Sequence, residues 1–460
     1  MKNRDIEMAR RIAAEVDRAG GRTFYVGGYV RDLLLGRENK DIDIEVHGVP
    51  VATLEGILDG LGERMTMGAS FGIMGLRHCD IDIAMPRSEV ATGCGHKDFE
   101  VFVDPFIGEK KAAQRRDFTM NALMQDVLTG EVLDFFGGRD DMAAGRIRHV
   151  NDATFVEDPL RVFRAAQFAA RFGFRIAPET SQLARRMDVT ALSCERVMGE
   201  LEKALMKARK PSLFFEALRD MGQLTTWFPE VEALIGIPQS PAHHPEGDVW
   251  THTLEVLDEA AAFQAQAENP LGLMLAALCH DFGKAVTTET VNGAIHAYGH
   301  EKEGLPLIQR FLERLTHETA LTKRVMSLCA LHMKPNRKIE DGAKRKSFMK
   351  LFDEAAYPED LLLLSKADFL GRYDSPEARQ RLAEEYAPID QKLRSLLDAY
   401  RALMARPYLM GRDLIQAGVK PGPLMGEALE FAHKLRLAGL SKELQLSQTL
   451  GYLRSRHPEG

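Results

Sequence analysis

The sequence predicts an α+β protein, with a small mixed sheet and helices over the first 150 residues and an all-helical remainder. Two segments, 41–46 and 80–85, alternate acidic and apolar residues as half-buried strands do. From about residue 151 this alternation ends and helical spacing dominates. A chain of 460 residues is also too long for one typical core. The predicted domains are 1–150, 151–235, 236–395 and 396–460.

Composition limits the class of protein. An apolar content of 45% with 28% charged residues is typical of a soluble globular chain. The start, MKNRDIEMARR, has no apolar signal core, and no run is long enough to span a bilayer, so we predict a cytoplasmic protein without a membrane partner. The net charge of −7 means that any RNA binding must come from local basic patches. Five scattered cysteines without C-x-x-C spacing predict free buried thiols.

One early segment has the pattern of a strand, a glycine pair, a short helix and a second strand. In the second strand Asp41 and Asp43 share a face, about 7 Å apart at their Cα atoms. Two such carboxylates repel unless a cation lies between them, and hard oxygen ligands suit Mg²⁺. Gly27 and Gly28 let backbone N–H groups approach an anion, and Arg31 adds a forked donor. The pattern therefore predicts a nucleoside-triphosphate site with Mg²⁺. For the two acids alone, an ordinary half-exposed strand is the alternative.

The letters GGYVRDLLLG followed by DIDIEV resemble the nucleotide-binding signature of the DNA polymerase β-like nucleotidyltransferases. The similar branch contains bacterial tRNA CCA-adding enzymes and poly(A) polymerases. The resemblance implies a nucleotidyltransferase head in which Asp41 and Asp43 are catalytic metal ligands. Asp82, on the second alternating strand, matches a third acidic residue of the family and would act near the attacking hydroxyl. A solvent-facing edge strand is the alternative for Asp82.

A second stretch, RRDFTMNA at 115–122, resembles the family's RRDFT-x-NA motif. The resemblance implies that Arg115 and Arg116 neutralise the triphosphate, and that Asp117 and Asn121 hold the sugar through hydrogen bonds. A helix whose arginines are solvated is the alternative. The polar stretch 88–98, which precedes this motif, is predicted to be a loop. Its Cys94 and His96 have no assigned role.

Asp158 and Arg161 lie three residues apart in a predicted helix, so their side chains are neighbours. A carboxylate accepts from the exocyclic amino group of cytosine or adenine, and a guanidinium donates to the adjacent ring acceptor. From the residues alone, a helix salt bridge among Glu157, Asp158, Arg161 and Arg164 is the simpler explanation. EDPLRVFR, however, resembles the family's EDxxRxxR motif, which implies that Asp158 and Arg161 read the incoming base, with Arg164 in the same site.

A second chemical centre is predicted between residues 240 and 370. The order H, HD, H, H and D along this region resembles the HD phosphohydrolase superfamily. Neutral imidazoles with carboxylates bind divalent transition metals such as Ni²⁺, Mn²⁺ or Co²⁺. A basic run over 334–350 offers positive charge for a phosphorylated substrate. The implied ligands are His252, His280, Asp281 and Asp368, with His300 and His332 as further candidates.

These resemblances cover nearly the whole chain. They imply an enzyme that adds CCA to the 3′ end of tRNA from CTP and ATP without a template, contacts the acceptor arm, and hydrolyses 2′,3′-cyclic or terminal phosphates. The alternatives are a poly(A) polymerase, a CC-only or A-only enzyme, or a protein that is chiefly an HD phosphohydrolase. A non-enzymatic tRNA-binding module would need neither metal site. The sequence leaves open whether the protein is a monomer or a homodimer.

Overall fold

The computed structural model describes residues 2–39, 41–67, 73–91 and 99–456. The chain forms two compact units. The first unit comprises residues 1–208 and 213–227, and the second comprises residues 209–212 and 228–460. The first unit mixes strands and helices, whereas the second is almost entirely helical, so the predicted α+β class is confirmed.

A seven-stranded mixed sheet forms the centre of the first unit, in the order β3-β4-β5-β2-β1-β8-β9. Strands β2 and β5 are parallel, and the other neighbours are antiparallel. The strands of this sheet are β1 (Arg22–Val26), β2 (Ile42–His47), β3 (Arg64–Met67), β4 (Ile73–Leu76), β5 (Ile81–Ala84), β8 (Met124–Asp126) and β9 (Val132–Leu133).

Apolar residues at regular spacing in β2 and in the first helix are buried in the first unit. Ile42, Ile44 and Val46 alternate along β2 and are buried. The first helix runs from Lys2 to Arg18, and four of its apolar residues at helical spacing, Ala9, Ile12, Ala13 and Val16, are also buried. Burial of this kind stabilises the fold by roughly 25 cal/mol per Å² of apolar surface removed from water.

Two further pairs of strands complete the first unit. The hairpin β6 (Arg87–Ala91) and β7 (Phe99–Val103) is antiparallel, and β10 (Arg146–Ile147) pairs in parallel with β11 (Arg175–Ile176). The loop predicted over 88–98 was therefore wrong at 88–91, because these residues pair with β7, which satisfies their backbone hydrogen-bonding groups. Residues 92–98, with Cys94 and His96, lie outside the described residues.

Ten helices accompany these strands within the described part of the first unit and its junction. They are α1 (Lys2–Arg18), α2 (Gly28–Leu34), α3 (Val51–Leu61), α4 (Glu109–Gln114), α5 (Gly138–Ala143), α6 (Asp152–Phe155), α7 (Leu160–Phe172), α8 (Pro178–Ala184), α9 (Cys194–Lys207) and α10 (Ser212–Asp220), with a 3-10 turn at Thr119–Asn121. The fixed φ of Pro159, at the N-cap of α7, suits a helix start.

The second unit is built from helices and one hairpin, β12 (Glu289–Val291) with β13 (Ala294–His296). Its helices are α11 (Pro229–Glu232), α12 (Val249–Phe263), α13 (Pro270–Cys279), α14 (Lys284–Thr287), α15 (His300–Glu303), α16 (Leu305–Leu315), α17 (Thr319–Leu331), α18 (Lys334–Glu340), α19 (Arg345–Glu354), α20 (Pro358–Leu370), α21 (Pro376–Met404), α22 (Gly411–Gln416), α23 (Pro423–Leu437) and α24 (Lys442–Arg456), with a 3-10 turn at Gln264–Gln266.

The cysteines only partly match the prediction of buried thiols. Cys279 and Cys329 are free and buried, whereas Cys79 and Cys194 are partly exposed, so the prediction was wrong for these two. In the described ranges, none of the helices combines the length and the apolar character needed to cross a bilayer.

Candidate active sites

The three predicted catalytic carboxylates lie on or next to two neighbouring parallel strands. Asp43 on β2 and Asp82 on β5 are register partners, and Asp41 immediately precedes β2. Burial, with the negative charges of Asp82 and Asp41, raises the pKa of Asp43. Hard carboxylate oxygens that repel one another in this way fit a divalent cation such as Mg²⁺. The structure thus places Asp82 beside Asp43, as the sequence indicated.

The turn between β1 and α2 supplies the second part of this site. Gly27 has φ +63°, a conformation that favours glycine. A Cβ at this position would also lie 3.1 Å from Nη1 of Arg116 and 3.9 Å from a carboxylate oxygen of Asp43. Arg116 is held there by Glu45, whose other oxygen lies 2.8 Å from Nε2 of His47. The glycine turn, an arginine and the carboxylates therefore converge on one space.

Arg31 lies at the wall of this space and is only 3% exposed. Its Nε donates to Asp32, and its Nη1 donates to Oδ1 of Asn121 at 2.7 Å. The guanidinium also stacks over the rings of Phe168 and Phe172. Arg31 is thus already bonded to protein partners, and its forked bond to an anion remains a prediction.

The predicted sugar-binding residues form a buried pair. Asp117 accepts from Nδ2 of Asn121 at 2.9 Å and from Nε of Arg164 at 2.8 Å. Burial alone would raise the pKa of Asp117, but the charge of Arg164 and these hydrogen bonds lower it. The carboxylate therefore stays ionised and holds both neighbours in position.

The predicted base-reading pair does not bond to itself in the structure. Both oxygens of Asp158 accept from Nη2 of Arg196 at 3.0 Å. Arg161 instead donates to the backbone carbonyls of Thr154 and Arg115. The alternative, a helix salt bridge among Glu157, Asp158, Arg161 and Arg164, is not formed between Asp158 and Arg161, although Asp158 does form a surface ion pair with Arg196.

These residues line one cavity of about 590 Å³ in the first unit. It includes every predicted nucleotide-binding residue, together with Asp43. Nine of its lining side chains are cationic and three are acidic, which suits a polyphosphate. Sequence reasoning did not assign the lining residues Arg171 and Arg196 to this cavity.

The HD motif residues come together from five places in the second unit. His252 lies in α12 and Asp368 in α20, His280 and Asp281 follow α13, His300 opens α15 and His332 follows α17. All six side chains are buried. His252, His280 and Asp368 form one possible metal-binding group, and Asp281, His300 and His332 form a second.

Asp281 lies between the two groups. Its Oδ2 is 3.2 Å from Nε2 of His280 and 3.6 Å from Nε2 of His252, and its Oδ1 is 3.3 Å from Nε2 of His300. Buried polar atoms normally have hydrogen-bond partners, yet Oδ1 of Asp281 and Nε2 of His280 have none, and Oδ2 of Asp281 is paired with Nζ of Lys284. Buried, unpartnered His and Asp atoms that face each other fit divalent metal ions.

Backbone carbonyls orient three of these imidazoles. Nδ1 of His280 lies 2.8 Å from the carbonyl of Ala277, and Nδ1 of His332 lies 2.7 Å from that of Cys329. His300 makes the same contact, at 2.9 Å, with Ala297. A proton on Nδ1 leaves Nε2 as the free lone pair, which is the arrangement of a metal ligand.

His252 is oriented by a side chain instead of a backbone carbonyl. The residues involved, Glu246 and His244, were not predicted from the sequence. Its Nδ1 lies 2.8 Å from Oε1 of Glu246, which lies 2.8 Å from Nδ1 of His244 as well. Burial raises the pKa of Glu246, but its contacts with the two histidines lower it overall to about 2. The available signal was the sequence HHPEGD just before α12. A carboxylate behind a ligand histidine fixes its orientation.

Two basic side chains also border the cluster. Nζ of Lys284 lies 2.8 Å from Asp281 and donates to Gln239, and Nη2 of Arg372 lies 3.2 Å from both oxygens of Asp368. Gly283 lets the chain pass close to α15, since a Cβ there would lie 2.0 Å from the carbonyl oxygen of His300. The turn at residues 280–283 links α13 to α14.

Comparisons with known protein families match the two sites to different parts of the chain. Residues 23–148 match the poly A polymerase head domain, 173–235 match the probable RNA and SrmB-binding site of polymerase A, and 249–400 match the HD domain. Fold and site thus define a nucleotidyltransferase joined to an HD domain. Both kinds of domain imply dependence on divalent metals.

The curated relatives give the particular family. A multifunctional CCA protein from Halorhodospira halophila is 38% identical over 89% of this chain and 94% of its own length. A multifunctional CCA protein from Thioalkalivibrio sulfidiphilus is 36% identical over 92% of this chain and 99% of its own length. The chain belongs to the multifunctional CCA protein family.

Solved structures support the same fold. The Bacillus stearothermophilus CCA-adding enzyme in complex with CTP has a TM-score of 0.65 at 20% identity and covers 99% of both chains. The Thermotoga maritima CCA-adding enzyme complexed with tRNA has a TM-score of 0.61 at 21% identity, over 97% of this chain and 95% of that one.

Proposed function

We propose that this chain adds CCA to the 3′ end of tRNA, using CTP and ATP and no nucleic-acid template. The observation that carries the proposal is the register of Asp43 with Asp82 beside a strongly cationic cavity. The names of the relatives, multifunctional CCA proteins, support the same activity. A tRNA substrate makes the cytoplasm the expected compartment.

The acidic and basic residues of the site have different roles in nucleotidyl transfer. Asp41 and Asp43 would hold Mg²⁺, which would supply activation of the tRNA 3′-hydroxyl and stabilise charge at the α-phosphate, and Asp82 would act near the attacking hydroxyl. The 3′-oxygen forms the new bond to the α-phosphorus, and pyrophosphate leaves. Arg116, held beside Gly27, neutralises the triphosphate, and Arg115 lies in the same cavity.

Base choice is assigned to Asp158 and Arg161, whose side chains line the same cavity. The carboxylate accepts from the amino group of cytosine or adenine and the guanidinium donates to the ring. Uracil and guanine present a carbonyl where this carboxylate needs a donor. Because Arg161 is anchored by two backbone carbonyls, it serves as a fixed reference for the base.

Single-nucleotide incubations test this proposal. tRNA ending before CCA is incubated with CTP, with ATP, or with both, and the products are read at nucleotide resolution. We expect CC from CTP alone and CCA from both nucleotides. Addition of a single A only, of CC only, or of a long A tail would instead indicate one of the alternative enzymes. Asp43→Asn should abolish addition, whereas the matched control Glu131→Gln, an exposed carboxylate of the same unit, should not.

A second activity is favoured by the buried His and Asp cluster. We propose that the HD site hydrolyses 2′,3′-cyclic and terminal phosphates on RNA ends. Divalent metal held by the two ligand groups would activate water there. Water adds to phosphorus, the bond to one ribose oxygen breaks, and that oxygen takes a proton. A second hydrolysis releases phosphate and leaves the free hydroxyl that CCA addition requires.

Metal-dependent assays test the hydrolase. Purified protein is supplied in turn with Mg²⁺, Mn²⁺, Ni²⁺ and Co²⁺ and an RNA that ends in a cyclic phosphate. We expect hydrolysis with at least one transition metal, lost in His280→Ala, while CCA addition to tRNA with a 3′-hydroxyl persists. Failure with all four metals would contradict this activity.

A further inference from the structure

An aromatic stack lies at the rim of the HD cavity. The cavity measures about 710 Å³, a size typical of small-ligand sites, and Asp281, His300 and Asp368 line it. The hairpin β12–β13 and the residues after it contribute the rim residues His296 and Tyr298. Metal ligands and aromatic rings therefore face one cavity.

The two rim rings form a parallel stack. Their centroids are 4.8 Å apart and their planes differ by 13°. Tyr298 is nevertheless 73% exposed, although burying a tyrosine ring is favourable. His296 covers one face of the tyrosine ring, and a flat partner on the other face would extend the stack.

The stack is tied closely to the metal-binding group. Tyr298 is two residues from His300, and the intervening chain is fixed because Nδ1 of His300 contacts the carbonyl of Ala297 at 2.9 Å. Tyr298 and His300 also line the same cavity, so a ligand that stacks on the ring and presents a phosphate to the metal-binding group must join the two within that cavity. A nucleotide at an RNA 3′ end, with a phosphate on its own ribose, has this form.

We propose that Tyr298, backed by His296, is a stacking platform for the base of the 3′-terminal nucleotide of an RNA whose phosphate is hydrolysed at the HD site. This inference rests on the proposed hydrolase function. Stacking on an aromatic face is tolerant of sequence, because every base has a π-face. The platform would thus select nucleotides over simple phosphate esters without selecting one base.

Paired substrates test the platform. One is a short RNA that ends in a 2′,3′-cyclic phosphate, and the other is glycerol 1,2-cyclic phosphate, which has a similar cyclic ester but no base. Tyr298→Ala should raise KM for the RNA about tenfold with kcat within twofold, and leave kcat/KM for the glycerol ester unchanged. Tyr298→Trp should restore the KM. Val291→Ala, an exposed position on the same hairpin outside the cavity lining, should change neither substrate.

Two outcomes would overturn the platform. One is an unchanged KM for the RNA in Tyr298→Ala, and the other is an equal loss of turnover on both substrates, which indicates only structural support of His300. If the wild type hydrolyses neither substrate, the hydrolase proposal fails separately. The platform is then judged by quenching of 2-aminopurine at the 3′ end of a 3′-phosphorylated RNA. Weaker quenching in Tyr298→Ala than in wild type supports it, and equal quenching overturns it.

Discussion

Glu45 holds Arg116 from 71 residues away, with Oε2 accepting from Nη2 at 3.1 Å. Glu45 is 9% exposed, so burial alone would raise its pKa, but His47 and the charge of Arg116 lower it. The carboxylate is therefore ionised and keeps the guanidinium beside the Gly27 turn. Glu45 is a positioning residue for the proposed triphosphate site.

Glu45→Gln should weaken binding of both nucleotides. A hydrogen bond to a charged group contributes about 1.5–3 kcal/mol, so KM for CTP and ATP should rise about tenfold or more with a smaller change in kcat. Steady-state addition kinetics on tRNA ending before CCA provide the measurement, with Glu131→Gln as the matched control. A fall in kcat at unchanged KM would contradict the positioning role.

Asp158→Ala should relax base choice. Loss of the acceptor for the base amino group should raise UTP use relative to CTP by roughly 10-fold or more, since one good bidentate contact discriminates by about 1–3 kcal/mol. Arg196→Ala should have a smaller effect in the same direction, because Arg196 bonds both oxygens of Asp158. Competition between labelled nucleotides gives the ratios. Unchanged ratios with only a lower melting temperature would assign Asp158 a purely structural role.

Glu246→Gln should weaken metal binding at the HD site and spare CCA addition. Residues that orient a ligand histidine typically affect metal affinity by 10–100-fold. Titration of the transition metal, followed by hydrolysis and by calorimetry, measures the change. Glu289→Gln, an exposed carboxylate on the hairpin β12–β13, is the matched control. Equal metal affinity in the wild type and Glu246→Gln would refute the role.

Asp258 should make stability depend on pH. Burial raises the pKa of Asp258 to about 6, although Ser212 donates two hydrogen bonds to it. A folded pKa above the unfolded value means that the native state binds more protons, so stability falls as pH rises from about 4 to about 6. The loss is at most about 3 kcal/mol. Melting curves at several pH values should show the stability of the wild type relative to Asp258→Asn falling over this range, and parallel curves for both proteins would disprove it.

Local pattern was enough to predict the fold class and most candidate ligands. Alternation assigns Asp41 and Asp43 to one strand face, and the spacing of His252, His280, Asp281 and Asp368 is a motif that needs no knowledge of packing. The hairpin β6–β7 was missed over 88–91 because this short strand is defined by its pairing with β7, further along the chain, and not by its own composition.

The partners of these residues could not be read from local pattern. Asp158 bonds Arg196 rather than its helix neighbour Arg161, Glu45 bonds Arg116, and Glu246 contacts His252 from outside α12. Periodicity shows which side chains share a face, but strand pairing and helix packing determine which faces meet. These long-range contacts therefore form only when the whole core of each unit has assembled, since burial of apolar surface is what brings distant segments together.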